Sequence, residues 1–290
     1  MTSFARALPH LRERMGSAVF ERVAGPMGPE NRVRIHQTPG PRWFGAGRPV
    51  RRVHGDASMF IGGLRALLLQ SLHPLAMAAV AAHSGFRGDP WGRLQRTSTF
   101  LAVTTYGTSE HAREAVERVR EVHSHVRGTT AYGDPYEASD PHLLGWVHAA
   151  EADSFLVAHQ RFGAEPLDAD GCDAYVADMA LVGRALGISD PPTTRRELDE
   201  RLAAYRSELR GTREARDAAR FILLHPPLPW VARAPYAVLA ANAVASLPQW
   251  AQTSLGLRRL PGPVQACVPP AGHALTKTIR WVMAAPDSTS

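Results

Sequence analysis

The sequence predicts an all-α fold, a single globular helical domain, on three observations. Apolar residues recur at three- and four-residue spacing through most of the chain after Ser58, signals for helix starts and stops bracket those runs, and no alternating Val, Ile or Thr run demands a sheet. At 290 residues with 44% hydrophobic content, the chain is long enough to bury a sizeable core. The expected organisation is an irregular N-terminal arm over 1–50, a helical body over 51–285 and a short tail over 286–290.

The arm is expected because Gly25, Pro26, Gly28, Pro29, Pro39, Gly40, Pro41, Gly45 and Gly47 leave room for one short helix. Helical pattern begins at Ser58. Pro74 must end or kink the first helix just after His73, since its ring meets the carbonyl four residues back. A second helix runs near Trp91 to Tyr106, and a third starts at Thr108 or Ser109, either of which can cap it, and stops at Gly128. In the third, Ala112, Val116, Val119, His123 and Val126 form the inward stripe while Glu114, Arg118 and Glu121 face out. Asp140-Pro141 pairs a cap with a first-turn proline and opens a helix carrying Leu144, Val147, His148, Glu151 and Phe155.

Further along, Asp170 to Leu186 is amphipathic, and Thr194-Arg195-Arg196-Glu197 is a capping box opening a helix through Leu198, Leu202, Tyr205 and Leu209. After Gly211 a helix reaches Leu224. Pro226, Pro227 and Pro229 break it, and shorter helices follow near Tyr236 to Ala245 and Ala271 to Met283, for about eight to ten in all.

The net charge of +6 invites a nucleic-acid reading, but Lys277 is the only lysine and the arginines are dispersed among 27 acidic residues. That is compositional bias without a basic stripe, and no nucleic-acid partner is expected. Cys172 and Cys267 have neither metal-binding nor haem-attachment spacing, which suits a reducing compartment. The first 25 residues are too charged for a signal-peptide core, so a cytoplasmic location is expected. Met59 to Ala82 and Phe221 to Leu247 are apolar but interrupted by Arg65, His73, Pro74, His225 and Arg233, which favours core helices over membrane spans. A peripheral contact between the basic surface and an anionic membrane stays open.

Among 13 histidines, any single one is more often a satisfied core or surface residue than a ligand. His123 stands out because an imidazole on an apolar helix face needs a partner, and a buried iron is one such partner. Arg93, Arg96 and Thr97 share one helix face; their guanidinium groups call for carboxylates, either haem propionates or the side chains of Asp89, Glu110 or Glu114. His148-x-x-Glu151 is the one pattern hinting at a non-haem metal. It lacks the further carboxylates of a di-iron bundle, and zinc-hydrolase, P-loop and serine-hydrolase motifs are missing from the chain.

Several segments between Leu68 and Phe155 together resemble the family of latex-clearing rubber oxygenases and MpaB-type oxygenases. They are Leu-His73-Pro74, Ala-His83-Ser84, Arg93-Leu94-Gln95-Arg96-Thr97-Ser-Thr-Phe100, Tyr106-Gly107, His123-Ser-His-Val126-Arg-Gly128 and Leu144-Gly-Trp146-Val-His148-Ala. The resemblance implies an MpaB/rubber-oxygenase-like catalytic domain over 51–285, with a globin-like core around a non-covalent haem b. It implies His123 as proximal iron ligand and Arg93 and Thr97 as distal residues. A lysine that caps the iron in some members falls at Arg96, which cannot deprotonate and makes a poor ligand. Trp146 and His148 are expected at or near the cofactor, and His73 is expected to hydrogen-bond close to the helix break.

The implied activity is oxygenation, with dioxygen, of an unsaturated hydrophobic small molecule such as a prenyl, lipid or secondary metabolite; the electron donor is unknown. The alternatives are a non-catalytic haem- or gas-binding protein and a peroxidase-like haem protein.

Overall fold

The computed structural model describes residues 2–83, 88–258 and 261–284. Ser84 and the 286–290 tail lie outside them. The described chain is one all-helical domain of fourteen α-helices with a single two-stranded ribbon.

Residues 1–50 depart from the expected irregular arm. They hold α1 (Thr2–Ala24) and α2 (Gly28–Gln37), followed by α3 (Pro49–Gly55). The breakers fall between these helices: Gly25, at φ 74°, turns the chain after α1, and Pro29 occupies the first turn of α2, where its missing N–H is not needed. Tertiary anchoring supplies what local pattern does not. Arg12 donates from Nε to the Trp281 carbonyl at 2.8 Å, and Ser98 Oγ donates to the Val23 carbonyl at 2.7 Å.

The middle of the chain follows the expected helix starts closely. α4 (Met59–Gln70) gives way at His73-Pro74 to α5 (Pro74–His83), bent 107° from it. α6 (Pro90–Tyr106) is capped by Asp89, whose carboxylate accepts from Gly92 N, and α7 (Ser109–His125) by Thr108, which accepts from His111 N. α8 (Pro141–Phe162) starts at Asp140 and Pro141 as expected.

α7 stops at His125, three residues before the expected Gly128. The chain there is extended: β1 (Arg127–Thr129) pairs antiparallel with β2 (Pro135–Glu137), Gly128 opposite Tyr136. Three-residue strands are too short to leave an alternating pattern, so the ribbon is silent in the sequence. Gly128 is required by close approach, since a Cβ would lie 2.6 Å from Tyr136 Oη.

α9 (Ala169–Leu186) ends at Gly187, whose φ of 107° supplies the left-handed cap. α10 (Arg195–Ala204) opens with Thr194 accepting from Glu197 N, while Glu197 reaches back to Thr193 N at 2.7 Å, one residue upstream of the reciprocal bond a capping box makes. It ends in a 3-10 turn, Tyr205–Ser207, so the helix expected through Leu209 is shorter. α11 (Arg213–Leu224) starts on Thr212. α12 (Trp230–Ser246), α13 (Gln249–Ser254) and α14 (Gly262–Met283) close the chain. α12 and α14 begin earlier than expected because Pro235, Pro269 and Pro270 lie inside them: a proline removes its own N–H bond but leaves the residues before it free to be helical.

α8 is the centre of the molecule. On one side Trp146 and Ala150 pack with Leu68, Leu69, Leu72 and Tyr205; on the other Ala149, Ala152 and Phe155 pack with Val53, Tyr175, Val176 and Met179. α4 lies closest against it at Gly62, where a Cβ would sit 2.8 Å from Phe155 Cδ1 and 3.2 Å from the Ser154 carbonyl. One turn on, Arg65 pairs with Asp153 at 2.7 Å, with side chains only 3% and 5% exposed. Arg65 also donates to Ser154 Oγ at 2.7 Å and the Ser246 carbonyl at 3.1 Å, and Asp153 takes a second cation, Arg195, at 3.0 Å.

Among the described residues no single helix is long and apolar enough to cross a membrane. α4 and α5 reach that composition only as a bent pair.

Removing one partner of a buried, fully hydrogen-bonded pair strands the other charge. Asp153→Ala is therefore expected to lose about 3–5 kcal/mol of unfolding free energy in urea titration. Gly62→Ala is expected to lose about 1–3 kcal/mol through overpacking. A loss below about 1 kcal/mol for Asp153→Ala would show that the pair does not hold α4 to α8.

Candidate functional site

α6 and α7 form a helical hairpin joined through Gly107 and Thr108. Arg93, Arg96 and Thr97 lie in the first half of α6 and His123 in the last turn of α7. His123 is partly buried, and its ring has no hydrogen-bond partner among the described residues; burial lowers its pKa and holds it neutral. His125 is exposed, with Nδ1 2.8 Å from the Glu121 carbonyl oxygen.

The three α6 residues differ in setting. Arg93 is half-buried, and burial followed by the nearby Arg96 charge lowers its pKa. Arg96 is exposed and pairs with Asp89 at 3.4 Å, as the simple ion-pair reading anticipates. Thr97 is exposed. Glu114, another expected partner for these arginines, instead meets Arg34 at 2.7 Å.

Trp146 and His148 occupy opposite sides of α8. Trp146 is fully buried, donates from Nε1 to the Gln70 carbonyl at 3.2 Å, and lies 5.4 Å from the Tyr205 ring. His148 faces α9, where a Cβ on Gly183 would come within 3.1 Å of its ring. The structure does not bring the two side chains to one surface.

His148 instead belongs to a buried polar seam. Its Nε2, the Tyr175 hydroxyl and His54 Nε2 all lack hydrogen-bond partners. Burial pushes His148 down to about 4 and His54 down to about 3, and raises the Glu151 carboxyl to about 7 and Tyr175 well above its ordinary value. His54 Nδ1 lies 2.9 Å from Thr105 Oγ1, and its ring stands 5.4 Å from Phe155 and 6.0 Å from Tyr175. The seam thus runs from α6 and α3 to α8 and α9. Buried groups left unpaired are costly, and they collect where a ligand or reaction needs them. His54 and Tyr175 were not singled out from sequence, because neither lies in a spaced motif.

A second cluster also escaped the sequence. His73, His142 and Glu208 bring one donor atom each to within 4.8 Å of one another. His73 lies at the helix break as expected, but neither ring nitrogen is hydrogen-bonded; Nε2 faces Glu208 Oε2 at 3.4 Å.

Comparison with known proteins decides the family. Residues 51–281 match the catalytic domain of the ER-bound oxygenase mpaB/B'/rubber oxygenase family. The chain belongs to this family. Two uncharacterised proteins, one from Mycobacterium bovis and one from Mycobacterium tuberculosis, are each 31% identical to it over 147 residues, half of this chain. The match spans 57% of each relative's own length. No solved structure matches.

The donors on α6 and α7 fit a haem in kind. His123 is an imidazole with no competing hydrogen bond among the described residues, and Arg93 is a cation of the kind that binds carboxylates. Neither of two surface clefts, of 490 and 320 Å³, is lined by these residues.

The seam's histidines bind fewer protons folded than unfolded. Their contribution should therefore be full above the ordinary histidine value of 6.5 and fall as pH drops from there, toward about 4 for His148 and about 3 for His54. Glu151 acts in the opposite direction, costing stability as pH rises from 4.5 through about 7. His148→Gln is expected to flatten the acid-side loss, read as unfolding free energy against pH. An unchanged acid slope would mean that His148 is not the buried neutral base described.

Proposed function

We propose that this protein is a haem-b-dependent oxygenase that uses dioxygen on an unsaturated, hydrophobic small molecule of prenyl, lipid or secondary-metabolite type. Membership of the oxygenase family supports the reaction class, and one observation supports the cofactor: the partly buried His123 imidazole in the last turn of α7, with no hydrogen-bond partner among the described residues.

In this reading His123, in the last turn of α7, would hold the iron, within the globin-like core that the family resemblance implies. Bound there, haem would supply the redox iron at which dioxygen is activated. Arg93 keeps its charge despite partial burial and orients carboxylate or oxygen acceptors, and the Thr97 hydroxyl one turn on assists it. Arg96 stays outside, engaged by Asp89, and does not cap the iron. Trp146 acts from behind, fixing α8 through Gln70, while His148 stays neutral at its seam position. The unpaired cysteines Cys172 and Cys267 suit a reducing, cytoplasmic setting.

The test is the absorption spectrum of purified protein before and after dithionite and carbon monoxide, with a pyridine haemochrome assay. The expected result is a b-type Soret band that shifts with carbon monoxide and is lost in His123→Ala. Full haem content and activity in that variant would overturn the ligand assignment. Haem without turnover of any alkene under dioxygen would leave a gas- or haem-binding protein, and turnover only with peroxide a peroxidase.

A further inference from the structure

We propose that His73, His142 and Glu208 form a binding site for a divalent first-row transition-metal ion, separate from the site residues on α6 and α7. Two imidazoles and a carboxylate are the donor set that favours zinc, cobalt or ferrous iron over magnesium or calcium. The three residues come from the α4–α5 break, the first turn of α8 and the segment after the 3-10 turn.

The distances suit a shared ion. At metal–ligand bonds of about 2.0–2.1 Å, adjacent ligand atoms in a tetrahedral site stand about 3.3 Å apart. Here His73 Nε2 is 3.4 Å and His142 Nε2 2.9 Å from Glu208 Oε2, and all three donor atoms lie within 4.8 Å.

An independent observation points to a ligand. The His73 side chain is 4% exposed and aimed at Glu208, yet both its ring nitrogens lack hydrogen bonds. His73 Nε2 does face Glu208 at 3.4 Å, but without hydrogen-bond geometry, and Nδ1 has no partner, so the carboxylate alone satisfies this buried imidazole poorly; an ion shared on Nε2 would satisfy it.

The carriers are fixed without any ion. Arg210 N donates to the Leu72 carbonyl at 2.8 Å, tying the Glu208 segment to the residue before His73. Tyr205 Oη donates to the His142 carbonyl at 2.7 Å, and Asp140 caps α8 through His142 N at 2.9 Å. Trp146 and Tyr205 flank His73, at ring separations of 6.3 and 6.5 Å. His142 and Glu208 are 57% and 40% exposed, which gives an ion a route in and leaves a coordination position to water.

The experiment uses untagged full-length protein stripped with chelator. It is titrated with Co²⁺, followed by visible d–d absorption, and with Zn²⁺ by calorimetry and thermal unfolding. One equivalent should bind and raise the melting temperature. His142→Ala and Glu208→Gln, both at half-exposed positions, should weaken binding by more than about 10-fold and abolish the thermal shift, while His225→Ala on the surface changes neither.

Absence of stoichiometric binding by the wild-type protein overturns the proposal. So does binding retained in both variants, which would assign the ion to scattered surface histidines. Should either variant fail to fold by circular dichroism, the wild-type stoichiometry and the cobalt spectrum, showing nitrogen–oxygen ligation or not, decide. Haem content read from the Soret band in the same samples separates this site from the haem reading, because loss of metal binding with an unchanged Soret band requires two centres.

Discussion

The Arg65–Asp153 pair constrains everything around α8. Two buried charges are tolerable only when each is fully engaged, and here Arg65 spans Asp153, Ser154 and the Ser246 carbonyl while Asp153 also takes Arg195. That network joins α4, α8, α10 and the end of α12. Its geometry fixes the depth of α4 against α8, which is why Gly62 must lack a Cβ beside Phe155. A helix so placed is covered on nearly every face, and α8 accordingly buries residues from Leu143 to Phe162.

What the sequence made legible follows from how local each signal is. Caps such as Thr108, Asp140 and Thr194 act within three residues of their targets, and the helices they open start where they predict. The unread parts depend on distant partners. α1 is held by contacts from Arg12 to the chain near Trp281, about 270 positions away by sequence separation. The β1–β2 ribbon has too few residues for a period, and its Gly128 makes sense only once Tyr136 lies across from it.

The candidate site divides in the same way. Arg93, Arg96, Thr97 and His123 sit on two consecutive helices joined by a short turn, so motif order could assign them to α6 and α7. Motif order could not say that Trp146 and His148, two residues apart, would be spent on different sides of α8. Helical geometry sets them about 200° apart, and the structure gives Trp146 to Gln70 and Tyr205 and His148 to Gly183. Nor could it assemble His73, His142 and Glu208, since each is an isolated residue until α4, α8 and the turn after α10 are packed.

α8 therefore separates two unsatisfied polar regions, and the separation bears on what each can do. On the α9 side, His54, His148, Glu151 and Tyr175 are deeply desolvated, so their protonation states are held by burial rather than by bulk pH. On the α10 side, His142 and Glu208 open to solvent and only His73 is enclosed. The first setting holds its groups away from bulk solvent, whereas the second is open to it at His142 and Glu208. Trp146, at 0% exposure with its indole N–H tied to Gln70, stands between them as a filled wall. A substitution that hollowed the wall would loosen the α4–α8 contact against which both regions are built. The two regions are chemically separate yet depend on the same packing.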